Sequence, residues 1–370
     1  MTMLLDDQGV AERVLGHIDH KTTDLGDAVW REPVENYRSL KRFEAERALL
    51  RRTPLAFCPS AALAEPGAYV AHESAGVPLV AVRGEDGVVR AFRNVCRHRG
   101  MAVATQASGC AKAFVCGYHG WTYGLDGRLR FVPDEEGFPG LDKVRHGLAP
   151  VRADERGGLV FITQDLGGDT SLLDDIPDLI GADNALYAAR EATQEVNWKI
   201  SLEGFIEGYH IRATHPETFL PYGFDNLNLV ECFGPHSRVT YPFKRINKLR
   251  EAPPDNRKIT GLVTFVYHLF PNALVTVLSS HTNLVILDPE SPTATRNVTY
   301  AMTNASGDEA LAKAKRDAEF VGNSGAAEDR AVVQAIQRGL ASGANEAFTF
   351  GRFEKAIVHF HRNLTRALSG

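Results

Sequence analysis

Residues 94–121 read NVCRHRGMAVATQASGCAKAFVCGYHGW, and this stretch decides how the N-terminal half of the chain folds. It holds Cys96 and His98 in one short segment and, after seventeen residues, Cys116 and His119 in a second. Glycines flank both segments, which is typical of tight loops. The stretch therefore offers two thiolates and two imidazoles from a pair of loops, a set of ligands suited to a metal centre.

Two kinds of metal centre use two Cys and two His, and the order of the ligands separates them. A structural zinc site usually takes its sulfurs from a single Cys-x2–4-Cys segment. Here each loop provides one Cys and one His, which favours a [2Fe–2S] cluster of the Rieske type, with both Cys on one iron and both His on the other. Because neutral imidazoles replace two thiolates, the reduction potential is raised and the cluster is predicted to relay electrons. Structural zinc remains the alternative.

Size and composition limit the class of protein. The chain has 370 residues and a net charge of −5, so two domains are expected and neither nucleic acid nor an anionic membrane is expected as a partner. No segment reaches the roughly 20 apolar residues that a membrane span needs. The first residues, MTMLLDD, carry early acids and do not resemble a secretory signal. Three cysteines lie outside the two loops, an odd number that indicates reduced thiols in the cytoplasm.

Strand and turn signals divide the chain into three parts. Residues 1–45 are predicted to be a helical segment that packs on the last part, residues 46–165 an all-β domain, and residues 166–370 a domain of helices and long strands. Leu79–Val82, followed by a turn containing two glycines, is typical of the middle part. Alternating apolar and polar residues in Asn297–Thr303 predict a sheet with one face toward a core or pocket. The fold class is therefore α+β.

A second group of metal-binding residues lies in residues 197–216, which read NWKISLEGFIEGYHIRATHP. The spacing of Glu203, Glu207 and His210 predicts one face of an α-helix. His215 precedes a proline, so the helix should end or unwind there and let both imidazoles turn toward one point. Two His with a carboxylate form the facial triad of non-haem Fe(II) oxygenases, and the carboxylate is either Glu207 or an acid from elsewhere. Two histidines near a helix end are more often surface or core residues than metal ligands. Here the predicted electron relay earlier in the chain needs an electron acceptor, and this favours a metal site.

With both groups in view, the chain resembles the α-subunit of Rieske non-haem iron oxygenases, from about Tyr37 to the C-terminus. Residues 94–100 and 116–121 match the cluster loops of that family almost residue for residue. The resemblance implies an all-β Rieske [2Fe–2S] domain and a catalytic domain of helices and antiparallel sheet, of the helix-grip or START-like type. It also assigns the cluster ligands, with one iron held by Cys96 and Cys116 and the other by His98 and His119.

The same resemblance assigns residues around a mononuclear iron. His210 and His215 match the two His ligands, and the segment AEDRAVVQAIQ matches the late helix that carries the third ligand, here Asp329. Asn197 matches a family position near the iron. Glu207 stands where the family usually has an aspartate that bridges a cluster His of the neighbouring subunit to an iron His, so it contacts a ligand and is not one. Carnitine monooxygenase and related enzymes that act on quaternary amines are similar in having glutamate here.

The resemblance implies the terminal oxygenase component of a multicomponent system. A separate NAD(P)H-dependent reductase, with or without a ferredoxin, would supply electrons, because the chain lacks a ferredoxin cysteine pattern and a Gly-x-Gly-x2-Gly loop. The electrons would pass through Glu207 to the Fe(II) of an adjacent subunit in a homotrimer, where O2 reacts with a small organic substrate. The favoured reaction is monooxygenation with N-demethylation or C–N cleavage of an amine or quaternary ammonium compound. The alternative is hydroxylation or dihydroxylation of an aromatic compound or acid, and a more distant one is an electron-transfer protein without oxygenase activity.

Two sets of residues are compatible with different classes of substrate and do not distinguish between them. Aromatic residues at 219–243 and 264–270 would suit a cage for a quaternary ammonium group, although packing in the core explains them equally well. Basic residues would suit a carboxylate, although solvated basic residues are common near strand ends. These basic residues are Arg212, Lys244, Arg245 and Lys248.

Overall fold

The computed structural model describes residues 4–369. Residues 1–3, the start of the predicted helical segment, and Gly370 lie outside the described part. The chain is α+β, as predicted, and forms two compact units. One unit is Leu50–Gly181, and the other combines the chain up to Leu49 with the chain from Ala182 onward. No helix among the described residues has both the length and the apolar composition to cross a membrane.

The described residues form α-helices in both terminal regions and around the second metal-binding segment. They are α1 (Asp7–His20), α2 (Glu35–Arg38), α3 (Leu40–Arg52), α4 (Trp198–Glu203), α5 (Ile211–Thr214), α6 (Asp308–Asn323), α7 (Gly325–Leu340) and α8 (Lys355–Ser369).

Strands fall into one set for each unit. The unit Leu50–Gly181 contains β2 (Leu55–Pro59), β3 (Ala68–Ser74), β4 (Val77–Arg83), β5 (Val89–Arg93), β6 (Ser108–Cys110), β7 (Phe114–Val115), β8 (Thr122–Tyr123), β9 (Leu129–Phe131), β10 (Pro150–Arg156) and β11 (Leu159–Thr163). The other unit contains β1 (Trp30–Pro33), β12 (Leu186–Gln194), β13 (Leu229–Phe233), β14 (His236–Pro242), β15 (Val263–Leu269), β16 (Ala273–Val277), β17 (His281–Ser291), β18 (Ala294–Thr303) and β19 (Ala347–Phe350).

In the β unit, Leu50–Gly181, the first candidate cluster loop lies between β5 and β6 of a larger sheet, and the second lies between β7 and β8 of a smaller one. The larger sheet has the antiparallel order β2-β11-β10-β5-β4-β3-β6, and β7-β8-β9 form a separate antiparallel sheet. The segment after β11 packs back on this unit, since the N–H groups of Leu179 and Ile180 both donate to Gly157 O. An added Cβ on Gly158 would come within 2.1 Å of the Ile180 carbonyl oxygen, so only glycine allows this approach. The residues just after the predicted boundary at 165 thus pack with the β unit.

The second unit is built on a seven-stranded antiparallel sheet of order β12-β18-β17-β16-β15-β14-β13. The predicted alternation in β18 is confirmed, because Val298, Tyr300 and Met302 are buried while Thr299 and Ala301 between them are partly exposed. One face of the sheet therefore meets the core, as the period-2 pattern requires.

The predicted helical segment over residues 1–45 is wrong in part, because residues 21–29 form neither helix nor strand. Helices α1 and α2 lie within it, but Trp30–Pro33 form strand β1, which pairs antiparallel with β19. The partner strand comes from near the other end of the chain, so local sequence patterns carry no sign of the pairing. Tertiary pairing overrides the local helical preference here.

A small apolar cluster sets the late helix beside the second metal-binding segment. Val333 and Leu340 of α7 pack with Val196, which precedes α4, and with Ile200 in α4. Because Asp329 lies one turn before Val333 on α7, this packing brings Asp329 toward the chain that follows α4.

A buried ion pair ties α3 to α4. Lys199 Nζ lies 2.7 Å from Glu46 Oε2, and both side chains are only 1% exposed. Trp198 Nε1 donates to Glu46 Oε2 at 2.9 Å, and Arg42 Nε donates to Oε1 at 2.8 Å. Burial lowers the pKa of Lys199, and the Glu46 charge opposes that shift. The buried charge at position 199 therefore depends on its carboxylate partner.

We expect Glu46→Ala to destabilise this unit by about 3–5 kcal/mol, because it leaves Lys199 buried without a counter-ion. The matched control is Glu44→Ala on the same helix, where the carboxylate is 52% exposed and pairs with Arg47, so less than about 1 kcal/mol is expected. Urea unfolding followed by far-UV circular dichroism measures both. Equal midpoints for the two variants would contradict the role given to Glu46.

Candidate metal centres

The two loops of the β unit have the same backbone pattern. Cys96 N–H donates to Met101 O at 2.7 Å, and Cys116 N–H donates to Trp121 O at 2.9 Å. The glycine four residues after each cysteine donates back to that cysteine's carbonyl and has a positive φ, 85° in the first loop and 71° in the second. Since a side chain is strained at such φ values, glycine is required in both loops. Local sequence thus determines two equivalent ligand loops.

The four predicted cluster ligands are arranged with sulfur inside and imidazole outside. Cys96 and Cys116 are each 3% exposed, whereas His119 is exposed and His98 is half-buried. The two imidazole centroids lie 4.6 Å apart, and the His98 ring stacks on Trp121 at 4.9 Å. An inner pair of thiols and an outer pair of imidazoles is the donor set that a Rieske cluster uses.

The protonation tendencies of these residues also fit a bound cluster. Burial, followed by the charges of His119 and Arg99, lowers the pKa of His98, which favours the neutral imidazole that a metal ligand requires. Burial raises the pKa of the Cys116 thiol, so the protein alone does not stabilise a thiolate there. A bound iron ion supplies the positive charge that does.

Tyr123 contacts one of the sulfurs. Its hydroxyl lies 3.3 Å from Cys96 Sγ and accepts the Arg97 N–H at 2.9 Å, so its own proton is free to donate to the sulfur. A hydrogen bond to a cluster sulfur stabilises the reduced form, which carries more negative charge.

Tyr123→Phe is therefore expected to lower the reduction potential of the cluster. Loss of about 0.5–1.5 kcal/mol of hydrogen bonding corresponds to about 20–60 mV for a one-electron couple. Spectroelectrochemical titration measures the shift. Tyr118→Phe is the control, because the Tyr118 hydroxyl is in the second loop but bonds to Arg99 Nη1 and not to sulfur. A potential in Tyr123→Phe equal to that of the control would disprove this contribution.

The prediction of one long helix carrying Glu203, Glu207 and His210 is wrong. Helix α4 ends at Glu203, and Glu207 and His210 lie in the non-helical segment before α5. Gly208 lies so close to Asn228 that an added Cβ would come within 2.9 Å of the Asn228 Oδ1 atom. Helix α4 has already ended before Gly208, and Gly204 directly follows its last residue, so the low helix propensity of glycine at positions 204 and 208 favours the break. The predicted helix end near His215 is confirmed, because α5 ends at the preceding residue.

The structure brings His210, His215 and Asp329 together. Their candidate ligand atoms all lie within 4.8 Å of one another. Asp329 Oδ1 is 2.8 Å from His215 Nε2 and 3.7 Å from His210 Nε2, and it lies on α7 as predicted. No other group of three or more His, Cys, Asp or Glu among residues 4–369 meets the same criterion.

The fit of this group to a metal ion rests on one nitrogen. His215 is fully buried, and its Nε2 atom has no hydrogen-bond partner among the described residues, although Asp329 is close by. Candidate ligand atoms that converge on one point, with a buried nitrogen among them left without a hydrogen bond, fit a cation between them. Two imidazoles and one carboxylate are the donor set of non-haem iron sites. Their roles as iron ligands stay predictions at this point.

Glu207 contacts the side of His210 away from Asp329. Its carboxylate accepts from His210 Nδ1, from His210 N at 3.2 Å and from Tyr209 N at 2.5 Å. It therefore orients an imidazole and does not join the group of three. Its predicted link to a neighbouring subunit stays a prediction.

A second carboxyl group lies near Glu207. Glu354 Oε2 accepts the Gly351 N–H at 2.6 Å. Burial, reinforced by the charges of Glu207 and Glu203, outweighs this bond and raises the pKa of Glu354 to about 7. The charge of the residue that orients His210 thus contributes to raising the pKa of this buried carboxyl group.

Asn197 has a structural position. It caps α4 by accepting Lys199 N at 3.0 Å, and its amide donates to Tyr37 O and Pro292 O. No bond among the described residues connects it with His210, His215 or Asp329. Its predicted place near the iron is not supported by these contacts.

The sequence patterns did not predict a role for Glu328 at this site. Its Oε2 atom lies 2.7 Å from His215 Nδ1. The only signal was its position directly before Asp329, and an acid at the start of a helix is common for electrostatic reasons alone.

Several residues considered for the substrate are already engaged. Arg212 pairs with Asp225 at 2.6 Å, and Lys244 and Arg245 donate to backbone carbonyls. The rings of Phe265 and Tyr267 surround the guanidinium of Arg238, at 4.7 and 5.8 Å. The charged groups and rings of these residues therefore already have partners within the chain. Phe219 is different, because its ring lies 4.6 Å from that of His215.

An all-β unit with two Cys–His loops, together with a sheet-and-helix unit that brings two imidazoles and a carboxylate together, defines an iron–sulfur protein with a separate non-haem iron site. The chain belongs to the ring hydroxylating alpha subunit family. The catalytic domain of that family matches residues 183–370, and the Rieske [2Fe-2S] domain matches residues 53–144. The resemblance seen in the sequence is confirmed, and with it the cofactors of the family, a [2Fe–2S] cluster and a mononuclear iron.

Within the family, the chain is similar to oxygenase subunits of monooxygenases. The chain is similar to the oxygenase subunit of glycine betaine monooxygenase from Chromohalobacter salexigens, 38% identical over 41% of this chain and 35% of that subunit. It is 28% identical to the oxygenase subunit of carnitine monooxygenase from Escherichia coli strain K12, over 91% of this chain and 93% of that subunit. The chain spans 35% of the Chromohalobacter salexigens subunit and 54% of a similar carnitine monooxygenase oxygenase subunit from Acinetobacter pittii, compared with 93% of the Escherichia coli subunit.

Among solved structures, the chain is similar to a quaternary ammonium Rieske monooxygenase whose structure gives insights into carnitine oxidation by gut microbiota and inter-subunit electron transfer. The TM-score is 0.78 at 24% identity, over 92% of this chain and 96% of that one. At this identity the likeness shows the fold alone.

Proposed function

We propose that this chain is the oxygenase component of a Rieske-type monooxygenase that acts on a quaternary ammonium compound or another amine. The convergence of His210, His215 and Asp329 around a buried, unpartnered imidazole nitrogen carries the proposal. The names of the two relatives support the substrate class, since both are oxygenase subunits that act on quaternary ammonium compounds.

The three side chains would hold a mononuclear iron, and when bound, Fe(II) supplies the capacity to activate O2. Three protein ligands leave positions open for O2 beside a substrate. His210 keeps Nε2 toward the site because Glu207 accepts from its Nδ1 atom. Asp329 contributes the negative charge that partly balances the metal.

Electrons would reach the site from outside the chain. A separate NAD(P)H-dependent reductase, with or without a ferredoxin, would reduce the cluster held by Cys96, His98, Cys116 and His119. A homotrimer would bring that cluster to Glu207 of an adjacent subunit, and the solved relative described for inter-subunit electron transfer supports this arrangement. All five cysteines are free of disulfides, which supports a cytoplasmic location.

The proposed reaction follows from the chemistry of amines. Insertion of one oxygen atom into a C–H bond beside nitrogen gives a carbinolamine, whose C–N bond then breaks to release an amine and a carbonyl compound. The second oxygen atom leaves as water after taking two electrons from the reductase and two protons. Phe219 beside His215 supplies an aromatic face that suits an ammonium group.

Aromatic hydroxylation is the second candidate, because the family is described as ring hydroxylating and Phe219 would also stack on an aromatic ring. The test is product analysis with iron-loaded protein, a surrogate reductase, NADH and isotopically labelled O2. The panel contains L-carnitine, glycine betaine and several aromatic acids. We expect an amine and a carbonyl product from a quaternary amine, with the label found in the alcohol obtained when the carbonyl product is reduced as it forms. Labelled ring-hydroxylated products alone would favour the second candidate, and no product with a reducible cluster would favour an electron carrier.

A further inference from the structure

Glu328 and Asp329 are adjacent on α7 and lie against opposite nitrogens of one imidazole. Glu328 Oε2 is 2.7 Å from His215 Nδ1, and Asp329 Oδ1 is 2.8 Å from His215 Nε2. The ring between them is fully buried, so water does not replace either contact.

The position of the Glu328 carboxylate selects one tautomer of His215. A carboxylate only accepts hydrogen bonds, so Nδ1 must carry the proton and donate it to Glu328. In the neutral ring that a metal ligand requires, the lone pair is then on Nε2, which lies near Asp329 and His210. An imidazole held in this way is both oriented and more basic as a metal ligand.

The carboxylate is itself held in place. Thr218 Oγ1 donates to the same Oε2 atom at 2.6 Å. Thr218 follows His215 by one turn of chain, so Glu328 bonds to two residues of the loop while belonging to α7. The contact therefore joins the loop that carries two histidines to the helix that carries the acid.

We propose that Glu328 is a positioning residue for the mononuclear iron, which fixes the tautomer and orientation of His215 and aligns this ligand with Asp329. The proposal rests on the proposed function, since it requires iron at this group. It gives each iron imidazole its own carboxylate at Nδ1, Glu207 for His210 and Glu328 for His215. The two carboxylates differ in their sequence distance from the imidazole that they contact. Glu207 is three residues from His210, and Glu328 is 113 residues from His215. Only Glu328 couples ligands from different parts of the chain.

The test is Fe(II) affinity, measured anaerobically by titrating Fe(II) into protein that retains its cluster but has been stripped of mononuclear iron. Glu328→Gln preserves the shape and removes the charge, and we expect it to weaken Fe(II) binding by about 10-fold, with Glu328→Ala weakened by up to about 100-fold. Thr218→Val should give a smaller loss, because it removes only the hydroxyl that holds the carboxylate. Glu319→Gln, an exposed acid on α6, is the matched control and should bind like the wild type.

Two further readouts separate this role from a merely structural one. The EPR signal of the reduced cluster and the far-UV circular dichroism should be unchanged in Glu328→Gln, so that weakened Fe(II) binding belongs to folded protein. An Fe(II) affinity of Glu328→Gln and Glu328→Ala within about twofold of the wild type would overturn the proposal. Failure of the wild type itself to bind Fe(II) at this site would instead contradict the proposed function.

Discussion

Replacing His210 by alanine is expected to remove the mononuclear iron and leave the [2Fe–2S] cluster in place. The two candidate centres lie in different compact units, and His210 provides one of only three ligand atoms in its group. His210 is the better target than His215, because its side chain is 21% exposed and truncation leaves no closed cavity, whereas His215 is fully buried. Since loss of a residue that only supports a ligand costs about 10–100-fold in metal affinity or activity, loss of a ligand should cost more than about 100-fold.

Metal analysis and EPR of the dithionite-reduced protein check this expectation. The variant should lose about one iron per chain while the Rieske signal, with its low average g value, persists. His20→Ala is the control, because His20 is exposed and its ring bonds to Gly16 O within α1. Unchanged iron content in His210→Ala would favour the electron-carrier hypothesis over an oxygenase.

The second large effect is expected for Glu207→Gln, which should leave the cluster in place and, in protein saturated with Fe(II), slow electron transfer between the two metal centres by about 10–100-fold. Glutamine retains one acceptor oxygen but loses the charge, so it cannot accept from His210 Nδ1, His210 N and Tyr209 N as the carboxylate does. A carboxylate has about four lone-pair positions, which leaves capacity for the proposed bond to a cluster imidazole of a neighbouring subunit.

Single-turnover kinetics measures this effect directly. Reduced protein is mixed with O2 and a quaternary amine, and oxidation of the cluster is followed by its visible absorbance. Glu217→Gln is the control, an exposed acid in the same region of the chain. Cluster oxidation at the wild-type rate in Glu207→Gln would refute the bridge.

The cluster loops were predictable because the relevant information is local. Each loop closes on itself through hydrogen bonds within six residues, and a glycine with positive φ lies at the same place in both. Residue types and short spacings therefore specify ligands and loop shape together. The strand alternation in β18 was predictable for the same reason, since burial follows a period of two along one segment.

The mononuclear site was predictable only in part. His210 and His215 are close in sequence, and the proline after His215 correctly marked a helix end. Asp329 was assigned through the family resemblance and not by any spacing. The helix expected to carry Glu203, Glu207 and His210 instead ends at Glu203, directly before Gly204, and the spacing argument did not weigh the low helix propensity of that glycine.

The sequence by itself determined that the chain carries two Cys–His loops and a pair of histidines for a second metal, because ligand chemistry resides in residue types at short range. Only the tertiary structure decided that a further carboxylate, Glu328, serves His215. Glu328 reaches His215 from 113 residues away, together with Asp329 beside it, through the packing of α7 beside α4. Contacts between such distant segments arise from burial of apolar faces and not from any local pattern. The contact between Glu328 and His215 therefore could not be predicted from the sequence.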